Sequence, residues 1–290
     1  MIQKLAALQK VVELGSFTKA ADALGYTQSS VSAMVAAAEE TFGIRILRRS
    51  RSGVHLTKEG KELFPYIQGV LEQYRRAEEK ADSIRGLERG VVKMAVPASL
   101  SENWMPRLIS GFREKYPDIL FELFHMNYTT ATEEIRRGIA DMGITTPAAS
   151  GNLETIPIRE GEMKAILPKG HPLAALERVP IEELAKETFV LLDTGEYNEI
   201  REAFRKCGID TDAYSTVDDD YTIMALVEQG SCVSILSDLR LLHSPYELEI
   251  RPVDPPIVIH TSIGFISRDA LSSASRKFLD YMVEEAPELP

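Results

Sequence analysis

Three groups of residues in this 290-residue chain have the types and spacing to do chemistry. The first is Gln28-Ser29-Ser30-Val31-Ser32. A glutamine pairs with the N6/N7 edge of adenine, and serine hydroxyls reach bases or phosphates, although the same run also suits a capped, solvated helix start. The second is cationic: Arg48, Arg49, Arg51 and His55 crowd one short stretch. Such a run is usually a solvated face. Beside a groove-reading helix it suits phosphate contact, and an arginine can enter the minor groove. The third group is scattered: Ser99 and Ser101, then Asn127, Thr129 and Thr130, then Thr145 and Thr146, and finally Thr194. Each follows a strand-like segment, where ligands of open α/β sheets collect and helix N-termini attract anions. Singly, each reads as a helix cap. As a converging set, they point to a small polar ligand such as a carboxylate. Asp218, Asp219 and Asp220 either repel anions from one rim or form a solvated turn.

Other chemistries find little footing. There is no nucleophile elbow, phosphate loop or metal-ligand spacing, and the hydroxyls have no histidine near them in sequence. The five histidines are scattered. Cys207 and Cys232 read as two unrelated buried thiols rather than a redox pair. The expectation is a non-enzyme without cofactor or metal. A chain that is 44% hydrophobic and 27% charged is an ordinary globular one, and 290 residues favour two or three units. No apolar run approaches the roughly 18 residues of a membrane span. The N-terminus has no apolar signal core, which predicts a cytoplasmic protein. The net charge of −11 divides unevenly: residues 1–90 hold 14 Lys+Arg against 11 Asp+Glu, or +3, and the rest hold 19 against 33, or −14. Only the head is suited to phosphate.

The elements that must position these groups follow from periodicity. Leu5, Leu8, Val11 and Val12 recur at helical spacing up to Gly15. Ser16 is placed to cap a short alanine-rich helix, Phe17 to Leu24. Gly25-Tyr26-Thr27 breaks the pattern, and a third helix runs from about Gln28 to Thr41 with Val31, Val35 and Ala38 inward. Two helices joined by such a turn make a helix-turn-helix, whose second helix enters the major groove by its N-terminal residues. Residues 44–56 then read as a hairpin turning at Ser52-Gly53, a cationic wing.

At this point the residues resemble a family. The signature Leu14-Gly15-Ser16-Phe17-Thr18-x-Ala20-Ala21-x-x-Leu24 is similar to that of LysR-type regulators. It continues as Thr27-Gln28-x-x-Val31-Ser32, Glu39-x-x-x-Gly43, Arg49 and Leu56-Thr57-x-x-Gly60. The departures are Ala38 for a usual leucine, Leu47-Arg48 for leucine-phenylalanine, and Ala33-Met34 where Arg or Gln is common. Groove readout then leans on Gln28, Ser29, Ser30 and Ser32, with the wing supplying most of the charge.

After Thr57, apolar residues fall at Leu63, Ile67, Val70, Tyr74, Ala77, Ala81 and Ile84, a heptad seam. Pro65 should kink the helix. The alternative is an amphipathic helix packed on its own domain; the sustained period favours pairing with a second chain. The family resemblance implies the same, a helix that dimerises the regulator.

Beyond a hinge at residues 86–90, strand and helix patterns alternate as in an α/β fold. The phrases Leu108-x-x-x-Phe112-x-x-x-Tyr116-Pro117, Gly138-x-x-Asp141-x-Gly143-Ile144, His171-Pro172-Leu173 and Val227-x-x-Gly230-x-x-Val233-x-Ile235-Leu236 resemble the LysR effector domain. Ser231-Cys232 replaces a usual glycine there. The resemblance implies a two-lobed, periplasmic-binding-protein-like body. The expected division is a winged helix-turn-helix over residues 1–58, linker helix and hinge over 59–90, lobe one over 91–161 and 266–290, and lobe two over 162–265. The expected activity is sequence-specific regulation of transcription, controlled by a small effector between the lobes. Double-stranded DNA, a second copy (dimer, or dimer of dimers) and RNA polymerase are the expected partners. A transport-type binding protein would share the body without the head, and a constitutive architectural DNA-binding protein would lack the ligand response.

Overall fold

The computed structural model describes residues 1–50, 53–84, 89–211 and 214–289. Arg51, the Ser52 end of the wing turn and hinge residues 86–88 lie outside them. The chain splits into two compact units, the first built on α1 to α4 and the second on the elements from β3 onward.

In the first unit, α1 (Ile2–Leu14), α2 (Phe17–Leu24) and α3 (Gln28–Phe42) are followed by strands β1 (Leu47–Ser50) and β2 (Gly53–Leu56), then the long helix α4 (Lys58–Ile84). The three-helix start is legible in its punctuation. Gly15, Gly25 and Gly43 end their helices in the left-handed conformation, with φ of 60°, 70° and 65°. Ser16 and Thr27 cap the next ones by accepting from the backbone N–H of Lys19 and Ser30. Fully buried Ala20, Val31 and Ala38 let the helices approach closely around Leu5, Leu8 and Val11. Helix α4 runs through Pro65 as one element.

Its first turns differ from the sequence expectation. Ile67 is buried and Leu63 partly so, both packed into the core of the head with Phe64. These two residues are therefore used within the chain, because the helix starts directly beneath the hairpin and must cover the apolar faces of α1 and β2. Val70, Tyr74, Ala77, Ala81 and Ile84 are exposed.

The second unit carries β3 (Gly90–Val96), α5 (Ala98–Asn103), α6 (Met105–Lys115), β4 (Ile119–His125), α7 (Tyr128–Arg136) and β5 (Met142–Thr145). Then come β6 (Glu154–Leu167), β7 (Val179–Pro180), α8 (Ile181–Leu184), β8 (Val190–Leu192), α9 (Glu199–Lys206), β9 (Ser215–Val217) and α10 (Asp220–Glu228). The chain continues through β10 (Ser234–Ser237), α11 (Asp238–Leu241), β11 (Glu249–Asp254), β12 (Val258–Phe265) and α12 (Ser273–Glu285). Helix α7 begins at Tyr128, where Asn127 Oδ1 accepts from Thr130 N at 2.9 Å.

Strand order is β4-β3-β5-β12-β6-β11-β7, with β10 on β6 and a separate parallel pair β8-β9. Strand β3 runs parallel to β4 and β5, whereas β12 is antiparallel to both β5 and β6. Strand β6 is shared: its N-terminal part pairs with β12, and its C-terminal part lies between β10 and β11. A register shift separates Thr261 from Ser262, and from Ser262 onward β12 also pairs with β5. From there β12 runs between β5 and β6 in one continuous sheet. Asp141 ties this sheet to α12: its Oδ2 accepts from Lys93 N at 3.0 Å and from Ser275 Oγ at 2.8 Å.

Candidate nucleic-acid interface and ligand cleft

The four polar residues at the start of α3 divide by what they already bond. Gln28 and Ser29 are exposed, Ser30 and Ser32 half-buried. Thr27 Oγ1 lies 2.9 Å from Ser29 Oγ and 2.8 Å from Ser30 Oγ, so both hydroxyls share in the cap. Gln28 projects from the helix tip, where a groove-reading side chain belongs.

The hairpin pairs Arg48 with His55 and Arg49 with Val54. Strand alternation puts Arg49 on the face of buried Leu47 and Val54, and Arg48 with His55 on the other. Arg49 accordingly stacks on Phe17, 4.4 Å from the ring centroid, and its Nη2 reaches Ser32 Oγ at 3.5 Å. It joins wing to recognition helix, a link the sequence did not reveal. Two further residues fix the wing. Glu39 Oε1 accepts from Ile46 N at 2.7 Å and Leu47 N at 2.9 Å. Thr57 Oγ1 donates to Arg45 O at 2.7 Å and accepts from Gly60 N at 2.9 Å. A side chain on Gly60 would meet Ile46 O at 2.2 Å, which is why glycine stands there.

In the second unit a cavity of about 320 Å³ opens between the two strand systems joined by β6 and β12. Ser99 and Asn127 line it from one side and Thr194 from the other. The remaining predicted residues fall elsewhere. Thr145 and Thr146 are buried in the sheet, Thr145 Oγ1 lying 3.3 Å from Thr132 Oγ1; strand β5 is interior and its end faces the core rather than the cavity. Thr129 accepts from Glu196 N at 3.2 Å, a contact beside the cavity, and Thr130 supplies the N–H that Asn127 caps. Ser101 borders a shallow groove on α6 and sits 3.0 Å from His125 Nε2. That hydroxyl–imidazole contact spans 24 residues of sequence and was invisible there. Among the described residues His125 has no carboxylate partner, so the pair lacks the orienting group of a nucleophilic triad.

Of the charged lining, the sequence singled out Asp218, Asp219 and Asp220 as a rim that could repel anions, but it gave no sign of Asp193, Glu199 and Arg240, which line the same cavity with Tyr128 and His125. This runs against the carboxylate ligand that hydroxyl-rich strand ends suggested. Arg240 is buried; its Nη1 donates to Glu102 Oε2 at 2.8 Å, and its guanidinium pairs with Asp220 and lies 5.7 Å from the Tyr221 ring centroid. Burial raises the Asp220 carboxyl, with Arg240 opposing. Asp219 caps α10, and its bonds from Thr222 hold its carboxyl low. Burial raises Glu199. A larger groove of about 1010 Å³ flanks α9, but Asn198 and Glu199 are the only residues it shares with this cavity.

Comparison with known proteins agrees with both halves. Residues 2–61 match the family described as "Bacterial regulatory helix-turn-helix protein, lysR family", and residues 85–287 match "LysR substrate binding domain". The chain is 28% identical over 286 residues to the "Uncharacterized HTH-type transcriptional regulator YvbU" of Bacillus subtilis, covering 98% of each. It is 34% identical over 200 residues to a "Probable hydrogen peroxide-inducible genes activator" of Mycobacterium avium, covering 67% of this chain and 63% of that one. A full-length OxyR variant from Pseudomonas aeruginosa has the same fold, with a TM-score of 0.74 at 21% identity over 100% of this chain and 95% of that one. With one family model over the head and the other over most of the rest, the chain belongs to the LysR family of bacterial transcription regulators, with a DNA-binding helix-turn-helix and an effector-binding domain.

Proposed function

We propose that Gln28, Ser29, Ser30 and Ser32 face the major groove, that Arg48, Arg51 and His55 meet phosphate, and that Arg49 braces the wing. The observation that carries this reading is the exposed Gln28 at the tip of a helix whose flanking hairpin is pinned by Glu39 and Arg49. The protein acts in the cytoplasm as a dimer or dimer of dimers, paired along the exposed row Val70, Tyr74, Ala77, Ala81 and Ile84. A single small head makes too few contacts for specific binding. A small effector in the cavity changes the angle between the lobes over 91–161 with 266–290 and 162–265, re-spaces the heads, and alters DNA bending or polymerase contact.

Binding to specific and to random DNA, followed across salt, tests the assignment. Gln28→Ala should weaken specific binding by about 1–3 kcal/mol and leave random-sequence binding unchanged. Arg48→Ala should weaken both and lower the salt slope by about one. Equal loss on both DNAs for Gln28→Ala would remove it from base readout.

A further inference from the structure

The cavity holds more negative charge than its own cation can answer. Five carboxylates line it, and the one guanidinium, Arg240, is committed to Asp220 and Glu102. Asp219 is spent on Thr222, and Asp193 accepts from Gly195 N at 2.9 Å. Asp218 and Glu199 have no cationic partner among the described residues. Asp218 is exposed on the cavity rim and Glu199 is half-buried; a carboxylate without a cation in a partly desolvated place is unfavourable, and burial raises the Glu199 carboxyl accordingly.

A second observation is independent of these acids. Tyr128 also lines the cavity and is only 7% exposed, yet its hydroxyl has no hydrogen-bond partner among the described residues. Burial, and then the Glu199 charge, raise that phenol far above its ordinary range, so its oxygen stays protonated. A phenol without a hydrogen-bond partner and a half-buried carboxylate without a cation, on the wall of one cavity, point to a ligand that supplies a donor and a positive charge.

Resting on the reading of this cavity as the effector site, we propose that the effector carries a cationic nitrogen, a protonated amine or guanidinium, whose charge lies against Glu199 and Asp218 and whose N–H donates to the Tyr128 oxygen. A volume near 320 Å³ suits a small molecule. A carboxylate ligand would face Asp218 and Glu199 with no unpaired lysine or arginine on the lining to receive it.

Calorimetric titration of the full chain with 1,4-diaminobutane, agmatine and, as the matched anion, succinate tests this. The cations should bind and raise the melting temperature, and succinate should not. Glu199→Gln should weaken the cation by at least about tenfold, and Asp218→Asn, at the exposed rim, by roughly two- to fivefold. Tyr128→Phe should weaken it by roughly three- to tenfold, and Glu160→Gln, at an exposed site, should leave it unchanged. Succinate binding that tightens in Glu199→Gln would overturn the cationic assignment while keeping the cavity as the effector site. Cation binding indifferent to all three cavity variants would overturn both. Failure of either cation to bind at millimolar concentration would overturn the assignment.

Discussion

Glu39 holds the wing by a means that hydrophobic packing cannot supply. Its carboxylate takes two backbone N–H groups, of Ile46 and Leu47, that the turn leaving α3 would otherwise bury without partners. Bonds to a charged group contribute about 1.5–3 kcal/mol each at most, so Glu39→Ala should lower unfolding stability by about 2 kcal/mol and Glu39→Gln by less. Denaturant unfolding of the two variants checks this, and equal stabilities would mean that the carboxylate charge contributes nothing. Glu199 works in the opposite direction. Its folded value lies above the ordinary 4.5, so its contribution to stability is fully present below that value and is lost as pH rises through the folded one. Glu199→Gln should therefore melt higher than the parent at neutral pH, with the difference closing as pH falls below 4.5. Melting scans across pH read the sign. At this scale the sequence was partly legible. Arg48 and Arg49 are the same letter side by side, and only strand alternation turns one outward and the other onto Phe17. The hydroxyls after strands were visible, but which strand ends open to the cavity depends on where β5 lies in the sheet.

At the scale of elements, capping residues and left-handed glycines marked the helices of the head almost to the residue. Their signals are local: Ser16, Thr27 and Gly25 act on backbone groups within a turn of themselves. The seam of α4 is less local. A heptad count cannot tell the turns that cover the head from those left for another chain, so Leu63 and Ile67 joined the count although both serve the core. The exposed remainder gives a sharper prediction. Val70→Glu with Tyr74→Glu should shift the protein toward monomer in sedimentation without lowering head stability, because both side chains are exposed, at 48% and 45%. An unchanged dimer would place self-association on another surface. Isolated like charges along such a row suffice to oppose pairing.

For the whole molecule, the charge division announced the division of labour: a head at +3 for phosphate and a body at −14 for something else. The alternating pattern of the body gave its α/β class, whereas the sharing of β6 and β12 between two strand systems depends on pairings about a hundred residues apart and left no mark in periodicity. The acidic lining shares this cause, since Asp193, Glu199 and Asp218 are separated in sequence and meet only through the fold. A head of this family on this chain reads a DNA sequence. Footprinting of the purified protein on the DNA upstream of its own gene, from low to physiological salt, tests it most directly. The expected result is a discrete footprint with two or more half-sites separated by one helical turn or a multiple of it, persisting at physiological salt. Diffuse protection that fades as salt rises, on this and on every other DNA tried, would contradict it.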